Sequence, residues 1–118
     1  MRVLIADLFS KDAIEQMQKA GMEITYNDKL NGEPLDKAMA EINPHVLVVR
    51  STKVTDKTID CGASLQLIVR AGAGTDTINV AHAAKKAVYV ANCPGKNANA
   101  VSELTIGLMI SIDRRISE

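Results

Sequence analysis

Five short apolar runs divide the chain, and between them apolar residues recur every three or four positions instead of every second one. The runs are Val3 to Ala6, Glu23 to Tyr26, Val46 to Val49, Leu65 to Val69 and Val88 to Ala91, and their β-branched and aromatic content reads as strand. Behind Ser10, a natural cap, come Ile14, Met17 and Ala20; further on, Leu35, Ala38, Met39 and Ile42 repeat at the spacing of an amphipathic helix. Gly21 closes the first helix, Pro44 follows the second, Thr55 can cap a third through Ile59, and Ile78 to Lys86 reads as a fourth. Alternating strands and helices predict βαβ units and a parallel sheet whose right-handed crossovers place helices on both faces. The expected class is therefore α/β, a three-layer, doubly wound sheet of about five strands. Val46 to Val49 and Leu65 to Val69 are the most continuously apolar and should be central; the other three are more mixed and read as flanking or edge strands.

The last segment departs from this rhythm. After the turn Asn92-Cys93-Pro94-Gly95, the residues Ala98, Val101, Leu104, Thr105, Leu108, Met109 and Ile112 form one helical stripe that ends at Arg114-Arg115. Ile106 and Ile110 add apolar surface on other sides, more than one contact with a sheet would use, so a second partner is expected.

Composition removes several classes of function. At 118 residues, 47% apolar and 24% charged, the chain suits one globular domain. Met1 to Asp7 is too short an apolar run for a signal peptide and nothing approaches the ~20 residues of a membrane span, so a cytoplasmic protein without a membrane partner is expected. Fourteen basic and fourteen acidic residues cancel, which argues against nucleic acid, and Phe9, Tyr26 and Tyr89 offer no stacking platform. An anion site would have to be local. Cys61 and Cys93 have neither a CxxC partner nor a histidine at ligand spacing, so reduced thiols and no metal site are expected.

Candidate chemistry gathers at two strand ends. Val46 to Val49 leads into Arg50-Ser51-Thr52-Lys53, and Leu65 to Val69 leads into Arg70 and the turn Ala71-Gly72-Ala73-Gly74-Thr75-Asp76. Loops at the carboxyl edge of a parallel sheet carry ligands, and two arginines there suit phosphate or carboxylate, with Lys53 adding a point charge and Ser51 a hydroxyl. The glycines let backbone approach a ligand, yet a dinucleotide fingerprint fails: Thr77 stands where a third glycine is required, and Asn92-Cys93 stand where an acidic residue should end the next strand. Asp76 reads as a cap or loop brace. His45 and His82 have no carboxylate or nucleophile partner in the sequence and read as structural; Cys93 reads as a small turn residue, and Glu103 suits the opening turns of the last helix.

Val49-Arg50-Ser51 with Lys53-Val54-Thr55, Ile68 to Asp76, and Val90 to Gly95 with Ser102-Glu103-Leu104 together resemble the amino-terminal part of the D-2-hydroxyacid dehydrogenases, above all their phosphoglycerate-oxidising branch. The resemblance implies a flavodoxin-like substrate domain over residues 1–97. It makes residues 98–118 a helix leading to an NAD-binding Rossmann domain and to a homodimer partner. It assigns Arg50, Ser51, Lys53 and Arg70 to a small phosphorylated hydroxy acid, with Gly72, Ala73 and Gly74 facing substrate and nicotinamide. The family often has a hydroxyl residue at the position of Ala73, so a cofactor hydrogen bond from this side chain is not expected. The family's catalytic arginine, glutamate and histidine and its glycine-rich loop belong to the following domain, so no catalytic residue and no bound NAD are expected within these 118 residues. The competing expectations are a self-standing flavodoxin-like binding or dimerisation module, or the substrate domain of another 2-hydroxyacid dehydrogenase.

Overall fold

Ten elements alternate along the chain in a computed structural model that describes residues 1–116: β1 (Arg2–Ile5), α1 (Lys11–Lys19), β2 (Glu23–Tyr26), α2 (Glu33–Ile42), β3 (Val46–Val49), α3 (Asp56–Cys61), β4 (Leu67–Arg70), α4 (Val80–Lys85), β5 (Tyr89–Ala91) and α5 (Ala98–Asp113). All strand pairs are parallel, in the order β2-β1-β3-β4-β5. That is the flavodoxin-like order of doubly wound sheets. The final two residues of the 98–118 segment lie outside the described residues.

Two apolar clusters lie on opposite faces of the sheet. Leu4, Leu47, Val49 and Ile68 face Leu35 and Met39 of α2, Ile59 of α3 and Ala83 of α4. Val3, Ile5 and Val48 face Ile14 and Met17 of α1. Right-handed crossovers explain the division, since only the β1-to-β2 connection runs in the opposite direction across the sheet. The α1 face is consequently half covered: a wholly apolar groove of about 320 Å³ lies open along it, lined by residues that include Met17, Met22, Val46, Leu67 and Val69.

Local expectations hold with specific exceptions. Thr55 caps α3 by accepting from the Thr58 N–H, and Gly21 ends the α1 turn at a φ of +85°. Ser10 occupies the N-cap position of α1, but its hydroxyl makes no cap bond. β1, read as flanking or edge, lies inside the sheet, and its Leu4 and Ile5 are fully buried. β4 begins only at Leu67, because Leu65 is buried in the loop after α3 with its N–H on Gly62. α4 begins at Val80, with Asn79 as its cap; Ile78 is instead a buried loop residue bridging to Val54.

The last helix stands apart. Among the described residues α5 packs against no other helix or strand, and none of its sixteen residues is buried. Leu104, Met109 and Ile112 are 63%, 65% and 77% exposed, which makes this surface an unpartnered apolar face. No helix among the described residues is long and apolar enough to cross a membrane.

Candidate functional site

Because every strand runs the same way, the residues that follow β1, β3, β4 and β5 all emerge at one edge of the sheet. Val49 pairs with Arg70 in the β3–β4 register, so Arg50 and Arg70 leave adjacent strands side by side. The Arg70 Nε–H donates to the Arg50 carbonyl at 3.0 Å, and its Nη1–H donates to Asp76 Oδ1, also at 3.0 Å. Its side chain is only 16% exposed, against 80% for Asp76. An ion pair with one end in solvent contributes little stability, but two fixed bonds aim the guanidinium.

The glycines of the turn answer to that arginine. A Cβ at Gly74 would lie 3.0 Å from Asp76 Oδ1 and 3.1 Å from Arg70 Nη1, and one at Gly72 would lie 3.4 Å from Arg70 Cζ and Nε. Neither glycine has a positive φ. At Gly74 an added methyl would press on the Arg70–Asp76 pair, whereas at Gly72 it would make only ordinary van der Waals contact with Arg70. The turn is held from β5 as well: Cys93 N–H donates to the Gly72 carbonyl at 2.8 Å and Asn92 Nδ2 to the Ala73 carbonyl at 2.7 Å.

Asp7, just past β1, organises the other arginine's loop. Its Oδ2 accepts from the N–H groups of Arg50, Ser51 and Thr52 at 2.6, 3.0 and 2.9 Å. Partial burial would raise the Asp7 carboxyl, but bonds from these three amides and the Thr52 hydroxyl outweigh it and hold the group below its ordinary value. The loop is thus fixed around a carboxylate of the chain's own.

Between these two loops and the turn after β5 opens a cleft of about 540 Å³. It brings together Arg50, Ser51, Arg70, Gly72, Ala73 and Gly74, and Cys93, Lys96 and Asn97 close its far side. Among the described residues no acidic one lines it. Lys53, expected beside the arginines, lies elsewhere: it lines a neighbouring depression with Asp76, Thr77 and Asn79. The cause is the pairing of the two loops, in which Val54 N–H donates to the Thr77 carbonyl at 2.8 Å and carries its neighbour past Asp76.

The histidines lie outside the cleft. His45 Nδ1 accepts from the Arg2 N–H at 3.1 Å, beside the start of β3. His82 does have carboxylate partners: its Nε2 is 3.0 Å from Asp60 Oδ1 and its Nδ1 is 3.6 Å from Asp56 Oδ2, with Lys86 Nζ 2.9 Å from the same Asp60 oxygen. Lys86, then His82, hold the Asp60 carboxyl below its ordinary value. The packing of α3 against α4 brings these groups together, a relation no local pattern reveals.

Sequence reasoning missed Asp7, Asn92, Lys96 and Asn97 as parts of this edge. An acidic residue directly after the first strand was the available signal for Asp7, and a basic residue in the turn before the long helix was the signal for Lys96.

Comparison with known proteins identifies the family of the chain. The sequence profile described as D-isomer specific 2-hydroxyacid dehydrogenase, catalytic domain, matches residues 3–112. A protein from Thermotoga maritima described as hydroxypyruvate reductase is 42% identical over 98% of this chain and 38% of its own length. A D-3-phosphoglycerate dehydrogenase from Archaeoglobus fulgidus is 34% identical over all of this chain and 22% of its own length. Among solved structures, the NAD+-bound 3-phosphoglycerate dehydrogenase of Entamoeba histolytica superposes with a TM-score of 0.81 at 32% identity, over 94% of this chain and 38% of that one. The chain thus spans well under half the length of these relatives.

Proposed function

The chain belongs to the D-isomer specific 2-hydroxyacid dehydrogenase family, and on that premise we propose that it forms the substrate-anion wall of the cleft of a complete enzyme that oxidises 3-phosphoglycerate to 3-phosphohydroxypyruvate as a step toward serine, and that it is catalytically incomplete by itself. The observation that carries this reading is the pair Arg50 and Arg70, fastened together at adjacent strand ends and facing one cleft without an acidic residue.

In this reading the arginines and the Ser51 hydroxyl bind the carboxylate and phosphate, and the glycine turn lies against the carbon skeleton. The described residues lack a dinucleotide fingerprint: Thr77 stands where a third glycine belongs. NAD, which supplies hydride acceptance, would be held by a domain outside these 118 residues. Ala73 would meet the nicotinamide through its methyl and N–H, its carbonyl being engaged by Asn92. This chain's contribution is to bind, orient and exclude water from one side. Residues 1–97 would act as the substrate domain and 98–118 as the helix toward the second domain and a homodimer partner, in the cytoplasm.

The likeness to a hydroxypyruvate reductase at 42% identity favours a second reading, an unphosphorylated hydroxy acid bound through one arginine. Titration of ¹⁵N-labelled protein with 3-phosphoglycerate tests the site. Shifts of the Arg50, Ser51 and Arg70 amides are expected; spectra unchanged at millimolar ligand overturn the proposal. The same protein mixed with NAD and 3-phosphoglycerate is expected to form no NADH.

A further inference from the structure

We propose that Lys96 is a specificity residue of this cleft, selecting acids that carry a doubly charged phosphate over those with a carboxylate alone. The inference rests on the reading of the cleft given above. Its basis is a charge balance across the lining residues. Three cations face the space, Arg50, Arg70 and Lys96, and no anion does. Arg70 is already paired with Asp76 at 3.0 Å. Among the described residues neither the Arg50 guanidinium nor the Lys96 ammonium has an ion-pair or hydrogen-bond partner.

The cleft therefore offers two cations without a side-chain carboxylate partner and one paired guanidinium that still has N–H groups to donate; Asp7, whose carboxylate is taken up by the Arg50, Ser51 and Thr52 amides, does not line it. A phosphate monoester carries close to two negative charges at neutral pH and a carboxylate one. Arg50 and Lys96 match the first in charge, and Arg70, balanced but still a donor, suits the second. A lysine fits the phosphate role because its ammonium is a point charge without a required approach angle.

Lys96 is brought to the cleft by local structure. Gly95 holds a φ of +73° with open space around it, a conformation that glycine adopts at no steric cost. The start of the turn is tied to the glycine loop through Cys93 N–H and Asn92 Nδ2. Lys53, the cation first expected to serve here, faces the other depression, which leaves Lys96 as the lysine available to a ligand in this cleft.

The test compares 3-phosphoglycerate with glycerate, which differ only by the phosphate, in amide titrations of the whole chain at fixed low ionic strength. Lys96→Gln is expected to weaken 3-phosphoglycerate binding about tenfold and glycerate binding less than about twofold, as the loss of one partly solvated attraction to a dianion requires. Lys96→Arg should restore most of the difference, and Lys19→Gln, an equal change of net charge on α1, should leave both affinities in place. Equal weakening of the two acids by Lys96→Gln, or weakening of neither, overturns the assignment. If the unaltered protein binds neither acid, the reading of the cleft itself falls, and with it this inference.

Discussion

The Arg70 guanidinium donates to the main-chain carbonyl of Arg50 at 3.0 Å, so one cation-bearing strand end is fastened to the backbone of the other. The two charges would otherwise repel. Fixing one of them through neutral backbone keeps both at the same edge without a ligand, and a ligand then meets donors already in place.

Arg70→Lys is expected to abolish that arrangement while keeping the charge. A single ammonium cannot reach the Arg50 carbonyl and Asp76 with the geometry of the fork. Affinity for 3-phosphoglycerate should fall by about tenfold, near 1.4 kcal/mol, and calorimetric titration measures it.

Asp7→Asn should loosen the Arg50 loop. One carboxylate oxygen serves three amides, and at a partly exposed site its loss should cost about 1 kcal/mol of stability. The folded-state value of Asp7 is lowered, so its contribution is present above the unfolded aspartate range and disappears as pH falls through the folded value. Urea midpoints at neutral pH and below about pH 4 should therefore differ more for the unaltered protein than for the variant.

Two glycine-to-alanine changes should separate function from folding. At Gly74 the new methyl meets the exposed carboxylate of Asp76 and displaces it from Arg70 Nη1, so stability should change by less than ~1 kcal/mol while ligand affinity drops. At Gly62 it would lie 2.6 Å from Met39 Cε and 3.0 Å from Leu65 Cβ, inside the core, and should cost about 1–3 kcal/mol. Thermal melts beside amide titrations distinguish the two.

Self-association is expected through α5. Replacing Leu104 and Leu108 together by Glu should convert the assembly to monomers without lowering the melting temperature of the sheet domain, since α5 packs on none of its elements. Light scattering over a concentration series reads the outcome; an unchanged mass would place the contact elsewhere.

The alternation of strand and helix was legible because period and composition carry it, and so was the pairing of Arg50 with Arg70, because consecutive strands of a right-handed βαβ unit tend to be neighbours. What could not be read depends on relations across the sheet. Asp7 acquires its role only when β1 lies beside β3, a crossing that β2 interrupts in sequence. Lys53 left the cleft because of a bridge between Val54 and Ile78. Gly74 was visible in the turn, but its reason was not: it leaves room for the Arg70–Asp76 pair of the same chain. His82 found its carboxylates through helix packing, where residue spacing is silent.

The sixteen residues of α5 span about 24 Å, and the helix starts beside Asn97 on the rim of the cleft. Among the described residues no helix or strand touches it along that length, so the exposed side chains of Leu108 and Ile112 are held well away from the rim.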